Sequence, residues 1–437
     1  MEEEQPHETP HDDCRHIITG PGDTVRCRRG GCVMRIDTRP EDVGLSTPRL
    51  ARITEWMRRW VDSGRLPGLL VAIVRDDRLA WFDSCGHRDV ETKRVVEPDT
   101  IYRIYSMTKP ITTVAALMLY EEGHFQLDDP VAKFIPAFGE TRVFEFGDAE
   151  SFTTVPLARA VTVHDLMVHT SGLTYGFQHE HAVDALYRDR GVEFNANVGP
   201  LDELVETAAA QPLVFQPGTR WNYGVSTDVL GRLVEIWSGV ALDAFFNERI
   251  LGPLGMRDTG FHVREGQAHR LASNYVQAAD GGLRLAESAA ESRFLEPAVT
   301  LSGGGGLVST AADYLRFMRM LGGRGTLEGV RLLGRKSVEL MTMNHLPGDL
   351  ADMGRPRFAE MPFAGIGFGL GVSVLLDPAR ARILGSPGEY AWGGMASTTF
   401  WIDPVEDMMV LLLTQLMPSS AYPIRRELRV LTYQALL

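Results

Sequence analysis

The sequence predicts an α/β architecture in which one sheet-bearing domain is interrupted by a mainly helical insertion. Two observations lead there. β-rich runs stand near the start, at Gly68 to Val74 and Arg78 to Phe82, and return near the end, at Phe368 to Leu376, Ala396 to Ile402 and Met408 to Gln415. Between them, from about Asp128 to Glu296, helical patterns alternate with Pro- and Gly-rich loops, and no internal repeat is visible. The expected division is a polar N-terminal leader over 1–40, an α/β domain built from 41–127 and 297–437, and a helical domain over 128–296.

Each element has a local cause. Residues Met1 to about Arg39 are rich in His, Glu, Asp, Arg and Gly, without apolar periodicity. Ile53, Trp56, Met57 and Trp60 recur at helical spacing within Leu50 to Val61. Asp76-Asp77 separates the first two β-rich runs and reads as a hairpin turn. Ile111, Val114, Ala115 and Met118 mark a helix over Ile111 to Tyr120, stopped at Gly123. Leu201 to Ala210 and Ser226 to Ser238 are helical stretches of the middle region, and Asp403-Pro404 joins the last two strands.

Composition limits the function classes. The 437 residues are 44% hydrophobic and 23% charged, as in ordinary globular chains. A formal charge of −13 disfavours a nucleic-acid partner. No apolar run reaches the roughly 18 residues of a membrane span, and Met408 to Leu413 suits a strand. The start, Met1-Glu2-Glu3-Glu4-Gln5, is acidic where a signal peptide is basic and then apolar, so a cytoplasmic location is expected. Cys14, Cys27, Cys32 and Cys85 are scattered and read as incidental reduced thiols; Cys27-x4-Cys32 lacks the second pair of a zinc site. Only Lys93, Lys109, Lys133 and Lys336 are lysines among 44 basic Lys and Arg residues. Each retained lysine therefore raises the question why arginine would not do.

The segment Tyr105-Ser106-Met107-Thr108-Lys109-Pro110 answers it for one of them. Proline is best tolerated in the first helical turn, so Pro110 sets a helix start near Ser106, where N–H groups point outward and negative charge is favoured. Lys109 follows three residues later on nearly the same helix face. A buried lysine there could give up its proton and then help accept one from the serine, which an arginine could not do. The bland reading is a helix cap followed by a surface lysine.

Further motifs favour the chemical reading. Ser-x-x-Lys is the nucleophile motif of penicillin-binding proteins and serine β-lactamases. His169-Thr170-Ser171-Gly172-Leu173 resembles the loop these enzymes carry next, and Pro217 to Ser226 resembles the segment bearing their catalytic tyrosine, here Tyr223. Gly303-Gly304-Gly305-Gly306 resembles their glycine-rich turn before a capped helix, and Trp392-Gly393-Gly394 stands where they place Lys-Thr-Gly or His-Thr-Gly. From about Leu50 onward the chain is most similar to the family VIII carboxylesterases, which share the class C β-lactamase fold. The resemblance implies an antiparallel sheet flanked by helices. Two departures from class C β-lactamases point to the esterase branch. Val225 stands where those enzymes have Asn, and Trp392 replaces a cation that helps hold the β-lactam carboxylate. An aromatic wall suits a neutral ester better than an anion.

The resemblance implies a mechanism and a site. Ser106 attacks a small ester and forms an acyl-enzyme, with Lys109 or Tyr223 taking the proton; the sequence leaves that choice open. Backbone N–H groups of Ser106 and Met395 hold the oxyanion, and Trp392, Gly393 and Gly394 line the substrate site. The expected function is a carboxylesterase for short-chain acyl esters; the alternatives are a β-lactamase, D-amino-acid peptidase or acyltransferase on the same fold. No cofactor, metal, membrane or nucleic-acid partner is expected, and the chain is expected to be a monomer or homodimer. Decoys carry less. No serine lies in Gly-x-Ser-x-Gly, and the Gly303 run lacks the Gly-Lys-Ser/Thr of a phosphate loop. A helix capped at Thr310 explains that run better. Gly365 to Gly371 alternates as a strand, without the helix and acidic residue of a dinucleotide site. His164, His169 and His179-Glu180-His181 do not form a zinc helix pattern, and His169 and Ser171 are too close in sequence for triad geometry.

Overall fold

The computed structural model describes residues 24–25, 34–193, 199–354, 357–358 and 361–437. Most of the expected leader, with Cys14, Cys27 and Cys32, lies outside them. Met34 and Ile36 are already buried in the main core, so ordered packing begins before residue 40.

Eight strands form the main sheet. Three come from the N-terminal side: β1 (Gly68–Arg75), β2 (Arg78–Asp89) and β3 (Arg94–Val95). Five come from the C-terminal side: β4 (Ile366–Phe368), β5 (Ser373–Leu375), β6 (Tyr390–Gly393), β7 (Thr399–Asp403) and β8 (Met408–Leu413). Their order across the sheet is β4-β5-β6-β7-β8-β1-β2-β3, with every pairing antiparallel. The two ends of the chain meet where β8 pairs β1, from Met408↔Arg75 to Leu413↔Leu70.

Asp76 and Asp77, at φ 52° and 57°, make the tight turn between β1 and β2. The apolar run of β8 is explained by burial on both faces. Met408, Val410 and Leu412 pack beneath α1 (Thr47–Asp62) and the C-terminal helix, whereas Met409, Leu411 and Leu413 face the larger core. That core is centred on α2 (Thr108–Glu121), buried from Thr108 to Leu119 on every side rather than along the single stripe its periodicity suggests.

Two strand expectations need correction. The run Phe368 to Leu376 is the end of one strand and the whole of the next, because Gly371 at φ 76° turns the chain back and Gly369 N–H donates to Val372 O at 2.8 Å. β7 starts at Thr399, not Ala396, because Ser397 takes φ 67° within a loop closed by Gly394 N–H donating to Thr398 O. The expectation of reduced thiols also fails at Cys85, which is buried on β2 and disulfide-bonded. Scattered sequence positions say nothing of spatial neighbours, and such bonds persist in oxidising compartments.

The middle region contains α3 (Val163–Met167) and α4 (Ser226–Ser238), with further helices at Ala182–Asp189, Leu201–Ala209 and Leu242–Phe246. It is not purely helical. A hairpin over Asn274–Gln277 and Leu283–Glu287 pairs with Leu416–Met417 in a separate three-stranded sheet. After the glycine run, α5 (Ala311–Gly322) is capped as the sequence suggests: Thr310 Oγ1 accepts from Asp313 N–H at 3.3 Å. Thr310→Ala is expected to lower stability by roughly 1 kcal/mol, read from chemical unfolding. The last helix, α6 (Ile424–Tyr433), lies beside α1. Among the described residues, no helix is long and apolar enough to cross a membrane.

Candidate active site

Ser106 sits on a single 3-10 turn, Tyr105–Met107, that runs directly into α2, with Pro110 in the first turn. The turn is tied down from several sides. Ile104 N–H donates to Leu307 O at 3.1 Å, Tyr314 Oη donates to Met107 O at 2.9 Å, and Leu307 N–H donates to Thr108 Oγ1 at 3.2 Å. Tyr105 holds a left-handed φ of 43°, unfavourable for a bulky residue, and its hydroxyl accepts from Asn274 Nδ2 at 3.0 Å. The residue preceding the serine is thus strained and clamped.

Lys109 is fully buried, unlike Lys133 and Lys336 on the surface. Its Nζ donates to Gly304 O at 2.6 Å, Tyr175 Oη at 3.1 Å and Ser106 Oγ at 3.3 Å. It also lies 4.5 Å from the centre of the Tyr223 ring. Burial pulls its pKa down to about 7, against the opposing pull of the negative Asp228. A helix cap with a surface lysine does not describe this geometry.

Tyr223 precedes α4 on a segment stitched to the loop after α3. Asn222 N–H donates to His169 O, Val225 N–H to Thr174 O, and Asn222 Nδ2 to Leu173 O. Burial drives the Tyr223 phenol above its ordinary pKa, with hydrogen bonding to Ser106 the largest opposing effect. Its ring lies 5.5 Å from Trp392 and 4.9 Å from His169, centre to centre.

The third motif closes the other side. β6 ends at Gly393, and a Cβ on Gly394 would collide with Ile104 O and Thr398 Oγ1, so only glycine lets this loop abut the serine turn. Arg425 on α6 donates to Gly394 O at 2.8 Å and Thr398 O at 2.9 Å, holding the loop that carries Met395. Ser106, Tyr223, Trp392, Gly393, Gly394 and Met395 all line one cleft of about 600 Å³, with Phe177, Phe363 and Ile366 adding apolar wall. Every residue selected from the sequence therefore falls at this cleft or, for Lys109, directly behind it.

Four participants were not selected. Tyr175 and the Gly304 carbonyl bind Lys109, Asp228 faces it, and Arg425 braces the third motif. Asp228 had one readable signal, an acidic residue within the apolar helix after the tyrosine. The decoys resolve differently. Ser171 Oγ bonds Ser226 Oγ at 2.9 Å, while neither ring nitrogen of the buried His169 has a hydrogen-bond partner among the described residues. His164 Nε2 meets His345 Nδ1 at 3.0 Å, and His181 caps a helix through Val183 N–H. Among the described residues, no three His, Cys, Asp or Glu side chains gather as a metal site.

A serine at a helix start, backed by a desolvated lysine and a buried tyrosine beside an antiparallel sheet, defines a serine hydrolase of the β-lactamase fold. The chain belongs to the β-lactamase family, whose model matches residues 53–434. It is 33% identical over 370 residues to Esterase EstB of Burkholderia gladioli, covering 80% of this chain and 86% of that protein. It is 28% identical over 392 residues to monacolin J acid methylbutanoyltransferase of Aspergillus terreus, covering 85% and 91%. Among solved structures it resembles EstCE1, a hydrolase with promiscuous acyltransferase activity, with a TM-score of 0.74 and 26% identity over 88% of this chain and 99% of that one.

Proposed function

We propose that this protein is a carboxylesterase for short-chain acyl esters, working through an acyl-enzyme on Ser106. The observation that carries the reading is the fully buried Lys109 amine 3.3 Å from Ser106 Oγ. With its pKa near 7, Lys109 is substantially neutral at physiological pH, whereas the buried Tyr223 phenol keeps its proton. That contrast favours Lys109 as the base and Tyr223 as the hydroxyl that passes a proton onward. Ser106 Oγ forms a bond to the acyl carbon as its proton moves to Lys109. The ester C–O bond breaks, and the leaving alkoxide takes a proton by way of Tyr223. Water then attacks the acyl-enzyme, releases the acid and restores the serine hydroxyl. The N–H groups of Ser106 and Met395 are assigned to the oxyanion.

The similarity to EstB and the Trp392 wall support an ester over a β-lactam. A second reading, acyl transfer to an alcohol, is favoured by the similarity to the methylbutanoyltransferase and by a cleft large enough for an acceptor. A fluorophosphonate probe is expected to label the protein once, at Ser106, and nitrophenyl acetate and butyrate to be turned over faster than longer esters. Nitrocefin is expected to be cleaved weakly or not at all. No label and no ester turnover would reject the reading; added alcohol that yields mainly a new ester would favour the transferase. The profile of kcat/KM against pH tests the base: activity should rise with pH through about 7, as Lys109 loses its proton.

A further inference from the structure

The glycine run between β-sheet and α5 is wedged between α2 and α4 around one buried carboxylate. Asp228, on α4, is fully buried and accepts at Oδ1 from Ser302 Oγ and, at 3.1 Å, from Gly304 N–H. Gly304 turns its carbonyl the other way, to Lys109 Nζ at 2.6 Å. A Cβ at Gly304 would strike Asp228 Oδ2 and crowd Tyr175 Oη, so carboxylate, glycine and phenol are packed to contact. Thr112 Oγ1 on α2 holds the preceding Gly303 carbonyl at 2.7 Å. One residue, Gly304, thus links a buried acid to the buried base, its N–H on the acid and its C=O on the amine.

We propose that Asp228 is a positioning residue, the buried counter-charge of Lys109 acting through Gly304, and that it sets the pH range over which the site works. The proposal rests on the acyl-enzyme reading above. The groups facing the pair are Tyr175 and His169 from the loop after α3, Tyr223 ahead of α4, Arg425 from α6 beyond Tyr223, and Glu193 beyond Tyr175. Asp228 acts on all three central members in one direction. Its negative charge favours the ammonium of Lys109 and disfavours phenolate at Tyr175 and Tyr223. Removing the charge therefore makes every candidate base easier to deprotonate, whichever accepts the serine proton.

The test is Asp228→Asn, which keeps the shape and an acceptor for Ser302 and Gly304 while removing the charge. The acid limb of kcat/KM against pH is expected to move down by about one unit. Ser302→Ala, which removes a hydrogen bond but leaves the carboxylate, is expected to leave the limb in place. With four lysines in the chain, NMR of lysine labelled at Cε resolves the Lys109 titration directly, and it should follow the kinetic limb. An active Asp228→Asn enzyme with an unmoved or raised limb overturns the proposal, as does an equal shift in Ser302→Ala. If Asp228→Asn does not fold, Asp228→Ser serves as the neutral variant; failure of both makes the residue purely structural and also overturns it. Absence of fluorophosphonate labelling in the unmodified protein would instead reject the acyl-enzyme reading.

Discussion

Lys109→Arg is expected to lower kcat/KM for esters by at least about a thousandfold, comparable to Ser106→Ala, because groups acting as a unit are not additive. Two effects combine. A guanidinium cannot be deprotonated at working pH, so the step in which Lys109 takes the serine proton is lost. The space is also closed: Nζ already touches Gly304 O, Tyr175 Oη and Ser106 Oγ, and the side chain has no solvent exposure. A planar fork placed there must displace one of them. Lys109→Met, close in volume and without charge, separates the chemical loss from overpacking. Thermal unfolding and ester turnover should be measured on both variants. A Lys109→Arg enzyme that keeps roughly a third of its rate would show that the lysine is not the base.

Tyr223→Phe is expected to reduce turnover by at least about a hundredfold, the loss associated with removing a proton-transfer group. The ring contacts with His169, Trp221, Tyr175 and Trp392 need no hydroxyl, so the melting temperature should change little. Tyr175→Phe is the informative companion. Tyr175 binds Lys109 and stacks on Phe177, and it carries no assigned proton transfer to the leaving group. Its removal should therefore cost less. If the two variants lose activity equally, the proton route assigned to Tyr223 is wrong.

Much of this architecture could be read from local rules. Two aspartates in left-handed backbone make the turn between β1 and β2, as their pairing suggests. Pro110 and Ser-x-x-Lys place the nucleophile at a helix start, and Thr310 with Asp313 fixes where α5 begins. These depend on neighbours within a few residues. The failures share the opposite cause. Phe368 to Leu376 has strand composition throughout, and only Gly371 shows that the run folds back. Tyr175, Asp228 and Arg425 join the site because the loop after α3, α4 and α6 converge on the same turns, and of the three only Asp228, an acid in an apolar helix, carries a local hint. Cys85 belongs to this class as well, since its bond depends on which segments meet in space.

The seam between β8 and β1 has a consequence for how the chain reaches its native state. Thr414 Oγ1 donates to Gly68 O across 346 residues of sequence, and the neighbouring ladder is comparably distant. During synthesis β1 and β2 leave the ribosome with apolar side chains on both faces, and the strand that covers them follows only after nearly the whole polypeptide is made. Contacts so remote in the chain slow folding and prolong the exposure of sticky edges. Chaperone dependence and inclusion bodies are therefore expected on rapid overexpression, and slower translation or lower temperature should raise the yield of active enzyme. C-terminal truncations that remove β8 should leave an aggregating fragment rather than a smaller working one.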